Sequence, residues 1–227
     1  MGINKNILIT GAGNGIGLEL VKIAANQGHK VIAVSRNINS IKSLAGVNSY
    51  SIDITKDRLV KSLITKLKSE NIRLDIIINN AGALINKPFK KTTIEAFKKL
   101  YDVNVFGVVS IIRQSLPIMN KNGHVINISS MGGVQGSSKF SGLSAYSSSK
   151  GALIILTELL AEEFNKTGPS FNVLALGAVQ TKMLEKAFPG YKSNTTPKKM
   201  AEYILNFSLS GHRFFNGKVI PVSLSTP

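Results

Sequence analysis

The chain is expected to form an α/β domain built on a doubly wound, mostly parallel sheet of about seven strands with helices on both faces. Three observations carry this expectation. Strand-length apolar runs alternate with helix-spaced segments from one end to the other. The run Ile76-Ile77-Ile78 is apolar at every position, as in a strand covered on both faces. A glycine-rich stretch, Gly11 to Gly17, follows the first apolar run and opens a helical pattern.

In order, residues 7–10 read as the first strand and 16–27 as a helix ended by Gly28. Strand two is 31–34, a short helix is expected at 38–44, and a third strand at 49–52. Leu59, Leu63, Ile64 and Leu67 give residues 56–70 helical spacing. After the strand at 76–78, one long helix is expected over 93–119, bent or ended by Pro117. Strand five is 125–128, a helix follows at 144–165, and strand six is 171–176. A helix at 198–209 precedes a last strand at 219–222, whose Pro221 places it at an edge. No repeat or linker divides the chain, so residues 1–227 are read as one domain.

Composition narrows the function classes. With 227 residues, 43% hydrophobic, the chain can bury a sizeable core without staples. It has no cysteine, which excludes disulfides, zinc-thiolate sites and thiol nucleophiles. The start lacks a signal-peptide plan and no run of 18 apolar residues exists, so a cytoplasmic protein without a membrane span is expected. The net charge of +16 comes from lysines scattered on polar faces, such as Lys61, Lys68, Lys90 and Lys98. Without an arginine-rich tract or basic–aromatic interleaving, no nucleic-acid partner is expected. His29, His124 and His212 show no metal spacing.

Two stretches carry chemistry. In Thr10-Gly11-Ala12-Gly13-Asn14-Gly15-Ile16-Gly17, glycines allow a tight turn and let backbone N–H groups approach a pyrophosphate at a helix start. At the end of strand two, where NAD binders place an acid, stand Ser35 and Arg36. A guanidinium there can pair with a 2′-phosphate, which favours NADP(H) over NAD(H). Tyr146 and Lys150 are four apart and share a helix face. An ammonium ~4 Å from a phenolate, at an effective dielectric of about 20, stabilises it by roughly 4 kcal/mol before desolvation. Lys150 is therefore expected to lower the Tyr146 pKa and make it a general acid or base.

Taken in order, Thr10-Gly11-x-x-x-Gly15-x-Gly17, Asn79-Asn80-Ala81-Gly82, Ser129-Ser130 and Tyr146-x-x-x-Lys150 resemble the short-chain dehydrogenase/reductase family. Asp53, Asn104 and the segment from Gly177 to Thr181 are lesser matches. The resemblance spans essentially the whole chain. It implies a Rossmann-type sheet and NAD(P)-dependent interconversion of a carbonyl and an alcohol. It further implies that Tyr146 exchanges a proton with the substrate oxygen and that Ser130 polarises that oxygen. Lys150 would tune Tyr146 and hold the nicotinamide ribose, and Asn104 would support a water beside Lys150. Gly11, Asn14, Gly15, Ile16 and Gly17 would take the pyrophosphate. Ser35 and Arg36 would take the adenosine ribose, Asp53 and Ile54 the adenine. Asn80, Ala81 and Gly82 would pass beside the ribose, and Gly177, Val179 and Thr181 would line the carboxamide. No metal is implied.

Local alternatives stand beside these roles: a strand-end cap for Asn79, a helix N-cap for Asp53, a bond to its own helix for Asn104, and turn positions for Ser129 and Ser130. The chain also departs from the family pattern. Ser130 and Tyr146 are unusually far apart, Leu176-Gly177 replaces the usual Pro-Gly, and the tail lacks a glycine pair. Substrate selectivity for a small molecule is expected in the loops at 83–88, 131–143 and 183–196, with Met183, Leu184, Phe188 and Tyr191 as an apolar lid. Lys139, Lys182 and Lys186 are candidates to meet an anionic group. Ile111, Ile112, Leu153 and Leu156 suggest a homodimer or homotetramer through the two long helices. The competing function is a non-catalytic NADP(H)-binding sensor or scaffold.

Overall fold

The computed structural model describes residues 4–224. Seven parallel strands form one sheet in the order β3-β2-β1-β4-β5-β6-β7. They are β1 (Asn6–Thr10), β2 (Lys30–Ser35), β3 (Val47–Ser51), β4 (Leu74–Asn79), β5 (Met119–Ser130), β6 (Ser170–Leu176) and β7 (Val219–Val222). The helices are α1 (Gly15–Asn26), α2 (Asp57–Ser69), α3 (Ile94–Tyr101), α4 (Gly107–Ser115), α5 (Ser144–Glu163), α6 (Lys182–Ala187) and α7 (Pro197–Ser210).

Alternating strand residues feed two cores. Ile7, Ile9, Ile76, Ile78, Ile126 and Leu174 pack with Leu20 and Val21 of α1 and Ile204 of α7 on one face. Leu8, Ile77, Val125 and Phe171 pack with Leu63 of α2, Ile111 of α4 and Leu153 of α5 on the other. This is why the central strands read as continuous apolar runs. The order reverses between β1 and β4, so a crevice opens at their carboxyl ends, where the glycine loop lies. Pro221 sits in β7, the edge strand, as expected.

Two expected helices differ. Residues 38–44 form successive turns, with Ile41 and Lys42 N–H both donating to the Ile38 carbonyl. The Asn37 side chain accepts from Asn39 N–H at 2.9 Å, and the Ser40 hydroxyl donates to the Gly13 carbonyl at 2.7 Å. The first is a local turn that competes with a helix, and the second ties the segment to the glycine loop. The long helix at 93–119 is instead α3, a five-residue π turn (Asp102–Phe106) and α4, followed by a 3-10 turn (Leu116–Ile118). Met119 already belongs to β5. The wide turn delivers Asn104 inward, where it is fully buried and bonded to distant backbone. Helix α6 lies in a stretch read as loop.

The interface residues named from sequence point inward. Ile111 and Leu153 are fully buried, Ile112 nearly so, and Leu156 packs against the same core. Apolar side chains left exposed on these elements are Ile94, Phe106, Ile155 and Leu159.

At the amino ends of the strands, His124 is buried between Ser208 and Asn172. Its Nδ1 lies 3.0 Å from the Ser208 carbonyl and its Nε2 2.9 Å from Asn172 Nδ2, a pairing that suits a neutral ring. Burial pushes its pKa from 6.5 down to about 4, and the neighbouring His212 adds to the fall. Below pH 6.5 the unfolded chain therefore binds a proton that the folded chain refuses until about pH 4, and stability is lost as pH falls through that window. The full difference is roughly 3 kcal/mol. Thermal melts should show the unfolding midpoint dropping by several degrees between pH 6.5 and 4.5, and His124→Gln should flatten that dependence. An equal slope in both proteins would dismiss His124 as its source.

Candidate active site

The site gathers where β1, β4, β5 and β6 end. The glycine loop comes first. A methyl group on Gly17 would stand 2.2 Å from the Gly11 carbonyl oxygen, so only glycine lets α1 start this close to the loop. Asn14, the residue capping α1, is extended and makes no side-chain bond to the helix, and the first turn carries no acid. The first-turn N–H groups of Gly15, Ile16 and Gly17 thus lack both a side-chain cap and a competing carboxylate. Asn80 braces the loop: its Nδ2 donates to the carbonyls of Thr10 at 3.1 Å and Gly11 at 3.3 Å. Ala81 N–H donates to the Thr10 hydroxyl at 3.1 Å.

Ser35 closes the far side of the loop, with its Oγ 2.7 Å from where a Gly13 Cβ would be. Arg36 is exposed beside it, and its carbonyl accepts from the Ser51 hydroxyl at 2.9 Å. The Asp53 carboxylate accepts from Thr55 N–H at 3.0 Å and the Thr55 hydroxyl at 2.8 Å, forming a local turn rather than a cap on α2. Partial burial opposes ionisation, yet the Thr55 bonds and the charges of Arg36 and Lys56 hold Asp53 below the usual carboxylate range. Ile54 is buried against Gly107. Across the crevice, Gly177 N–H donates to Val222 at 2.9 Å, Val179 is buried, and Thr181 caps α6 by accepting from Leu184 N–H at 3.2 Å. The Thr181 methyl lies 3.5 Å from where a Gly15 Cβ would be, so the loop after β6 meets the glycine loop.

The four side chains expected to carry the chemistry lie in two groups. Ser130, the last residue of β5, lies beside the Tyr146 phenol, close enough to favour its ionised form. Lys150, buried, donates its ammonium to the Ile128 carbonyl at 2.7 Å. Asn104 and Lys150 flank Gly82: a Cβ built there would lie 3.5 Å from Asn104 Oδ1 and 3.6 Å from Lys150 Nζ. Asn104 Oδ1 accepts from Ala83 N–H at 2.8 Å, and its Nδ2 donates to the Ala83 carbonyl at 3.0 Å and to Ser149 Oγ at 2.9 Å. It therefore bonds outside its own helix. Ser129 and Ser130 are also separated: the Ser129 hydroxyl is spent on the Lys150 carbonyl at 2.9 Å, which leaves Ser130 as the one facing Tyr146.

The expected electrostatics need correction. Burial pushes the Tyr146 phenol above its ordinary value, with nearby Ser130 working against the rise, and Lys150 is not among the causes. Burial lowers Lys150 to about 8. Desolvation of the buried phenol and ammonium outweighs the attraction between their charged forms.

Sequence reasoning missed several positions. Asn79 Nδ2 donates to Asn127 Oδ1 at 2.8 Å, and Asn127 Nδ2 donates to Thr157 at 2.8 Å, running a polar seam beneath the site. The Asn79 Oδ1 atom is buried without a partner, which is not a strand-end cap. Asn86 Nδ2 donates to the Ala187 carbonyl at 2.8 Å, Gly142 packs on the Asn86 side chain, and Lys87 N–H donates to Gly142 at 2.9 Å. Lys139, proposed for an anionic group, donates instead to Val134 at 2.6 Å and Ser137 at 2.7 Å of its own loop. Met183 and Tyr191 are exposed on and after α6. No group of residues that could hold a metal occurs among the described residues, and none of their helices is long and apolar enough to cross a membrane. A hollow at the opposite end, lined by Arg73, Met119, Lys121 and Phe164, brings none of these groups together.

Comparisons with known proteins agree with this geometry. The family model described as short chain dehydrogenase matches residues 5–192. An uncharacterized oxidoreductase of Staphylococcus saprophyticus is 30% identical over 210 residues, 88% of each chain. Among solved structures, a 4-hydroxyisoleucine dehydrogenase complexed with NADH is 27% identical with a TM-score of 0.86, covering 97% of both chains. ElxO with NADP bound is 26% identical with a TM-score of 0.83, covering 97% of this chain and 98% of that one. The doubly wound sheet, the ordered glycine loop and the matched family model together establish that the chain belongs to the short chain dehydrogenase family and is a dehydrogenase/reductase.

Proposed function

We propose that the chain is one domain that transfers a hydride between NADP(H) and a small carbonyl compound or its secondary alcohol, with Tyr146 as general acid/base. The observation that carries this reading is that Ser130 at the end of β5 and Tyr146 in the first turn of α5 come together at the mouth of a glycine-loop crevice. Two hydroxyls directed at one oxygen are what a developing alkoxide needs. When bound, the nicotinamide would supply or accept the hydride. The elevated pKa keeps Tyr146 protonated at neutral pH, the state that donates a proton during reduction. Ser130 would hold the substrate oxygen. Lys150, bonded to the Ile128 carbonyl at 2.7 Å, would hold the nicotinamide ribose.

Cofactor residues fit a dinucleotide: the uncapped start of α1 for the pyrophosphate, Arg36 for a 2′-phosphate, Asp53 and Ile54 for the adenine end. Relatives in fold carry NADH or NADP, so the choice rests on Arg36 and the absence of an acid at Ser35. The exposed Ile94, Phe106, Ile155 and Leu159 support a homodimer or homotetramer through α3, α4 and α5.

NADPH consumption measured over ketones, aldehydes, quinones and acyl-thioesters tests the activity. Tyr146→Phe should lower turnover by at least 10³-fold while NADPH binding, read by fluorescence, stays within about threefold; full turnover would remove Tyr146 from the mechanism, and binding without turnover of any compound would favour the sensor reading. Arg36→Ala should raise the KM for NADPH by roughly tenfold and leave that for NADH nearly unchanged, as expected for losing ~1–2 kcal/mol of charge-assisted pairing. Equal effects on both would remove Arg36 as the source of an NADPH preference. Sedimentation at micromolar concentration should show a dimer or larger species, and Leu159→Lys should shift it toward monomer. A monomer throughout would sink the assembly.

A further inference from the structure

The hydroxyl of Ser149 stands between two parts of the site that the chain supplies separately. It is fully buried, one residue before Lys150. It donates to the Tyr146 carbonyl at 2.7 Å and accepts from Asn104 Nδ2 at 2.9 Å. Asn104 in turn clamps both backbone groups of Ala83, next to Gly82, which lies between Asn104 and Lys150. Among the described residues, this hydroxyl makes the one side-chain hydrogen bond that joins the Asn104 clamp to α5. Ser148, its neighbour, makes a similar bond back to Ala145 at 3.2 Å but is exposed and reaches no other element.

Removing the Ser149 hydroxyl would leave α5 intact, because the Tyr146 carbonyl is backed by helical N–H groups. It would leave Asn104 with its Ala83 bonds and one buried amide hydrogen unanswered. The clamp would then float relative to the helix that carries the phenol and the ammonium. An offset of this kind is costly to a reaction that depends on held geometry.

We propose that Ser149 is a positioning residue that locks the Asn104–Ala83 clamp to the start of α5 and so keeps Gly82 seated against Lys150. Its effect on turnover rests on the carbonyl-reduction reading above; its effect on the ligand-free protein does not.

The test compares Ser149→Ala, the control Ser148→Ala, Asn104→Ala and the double variant Asn104→Ala/Ser149→Ala. In the protein without ligand, backbone hydrogen exchange at Ala83 should speed up about tenfold in Ser149→Ala and stay unchanged in Ser148→Ala. With NADPH and 9,10-phenanthrenequinone as the probe, Ser149→Ala should lower kcat about tenfold with the KM for NADPH within about twofold. In the Asn104→Ala background the same change should lower kcat by less than about twofold, because the residue acts through Asn104. Unchanged exchange at Ala83, or a kcat loss equal in both backgrounds, overturns the proposal. If the unaltered protein leaves the quinone untouched, the carbonyl reading fails on that probe while the exchange result still decides for or against Ser149.

Discussion

Strand β5 and helix α5 are joined by a reciprocal bond that the rest of the site depends on. The Lys150 side chain donates to the Ile128 carbonyl on the strand, and the Ser129 hydroxyl on the strand donates to the Lys150 carbonyl on the helix. Both bonds are buried, where an unmatched polar group is costly, so the helix cannot slide along the sheet without losing them. One turn earlier on that helix Tyr146 meets Ser130, which ends the same strand. The phenol and the hydroxyl face one another because the turn below them is pinned. Asn127 and Thr157 continue the same attachment away from the crevice.

The apolar shell that makes these bonds strong also opposes charge. It lifts Tyr146 and lowers Lys150, so both favour their neutral forms more than they would in water. A site of this kind holds a proton on the phenol and keeps an amine near its own titration range. The charge balance of the pair is set by dielectric before it is set by neighbours.

Much of this was legible in the sequence. Continuous apolar runs marked strands with two covered faces, and the glycine spacing marked the loop before α1, because both are backbone requirements that only a few residue types satisfy. Tyr146, Lys150, Ser130 and Asn104 could be named because they recur in a known pattern. Their partners could not. The π turn that carries Asn104 follows from tertiary bonds to Ala83 and Ser149, residues 21 and 45 positions away. Residues 38–44 had helical spacing, yet Ser40 bonds to Gly13 across 27 positions. Ile111 and Leu153 were apolar at the right spacing for a surface stripe, but spacing alone does not say which side of a helix meets the sheet. Each of these misreadings is a local pattern overruled by a distant contact.

Asn86 ties together segments that leave three different strands: its own loop after β4, Gly142 before α5, and Ala187 at the end of α6. The three segments are therefore mechanically coupled. On the proposal that they wall the substrate site, replacing one to admit a new substrate would shift the other two, and selectivity would belong to the joined rim.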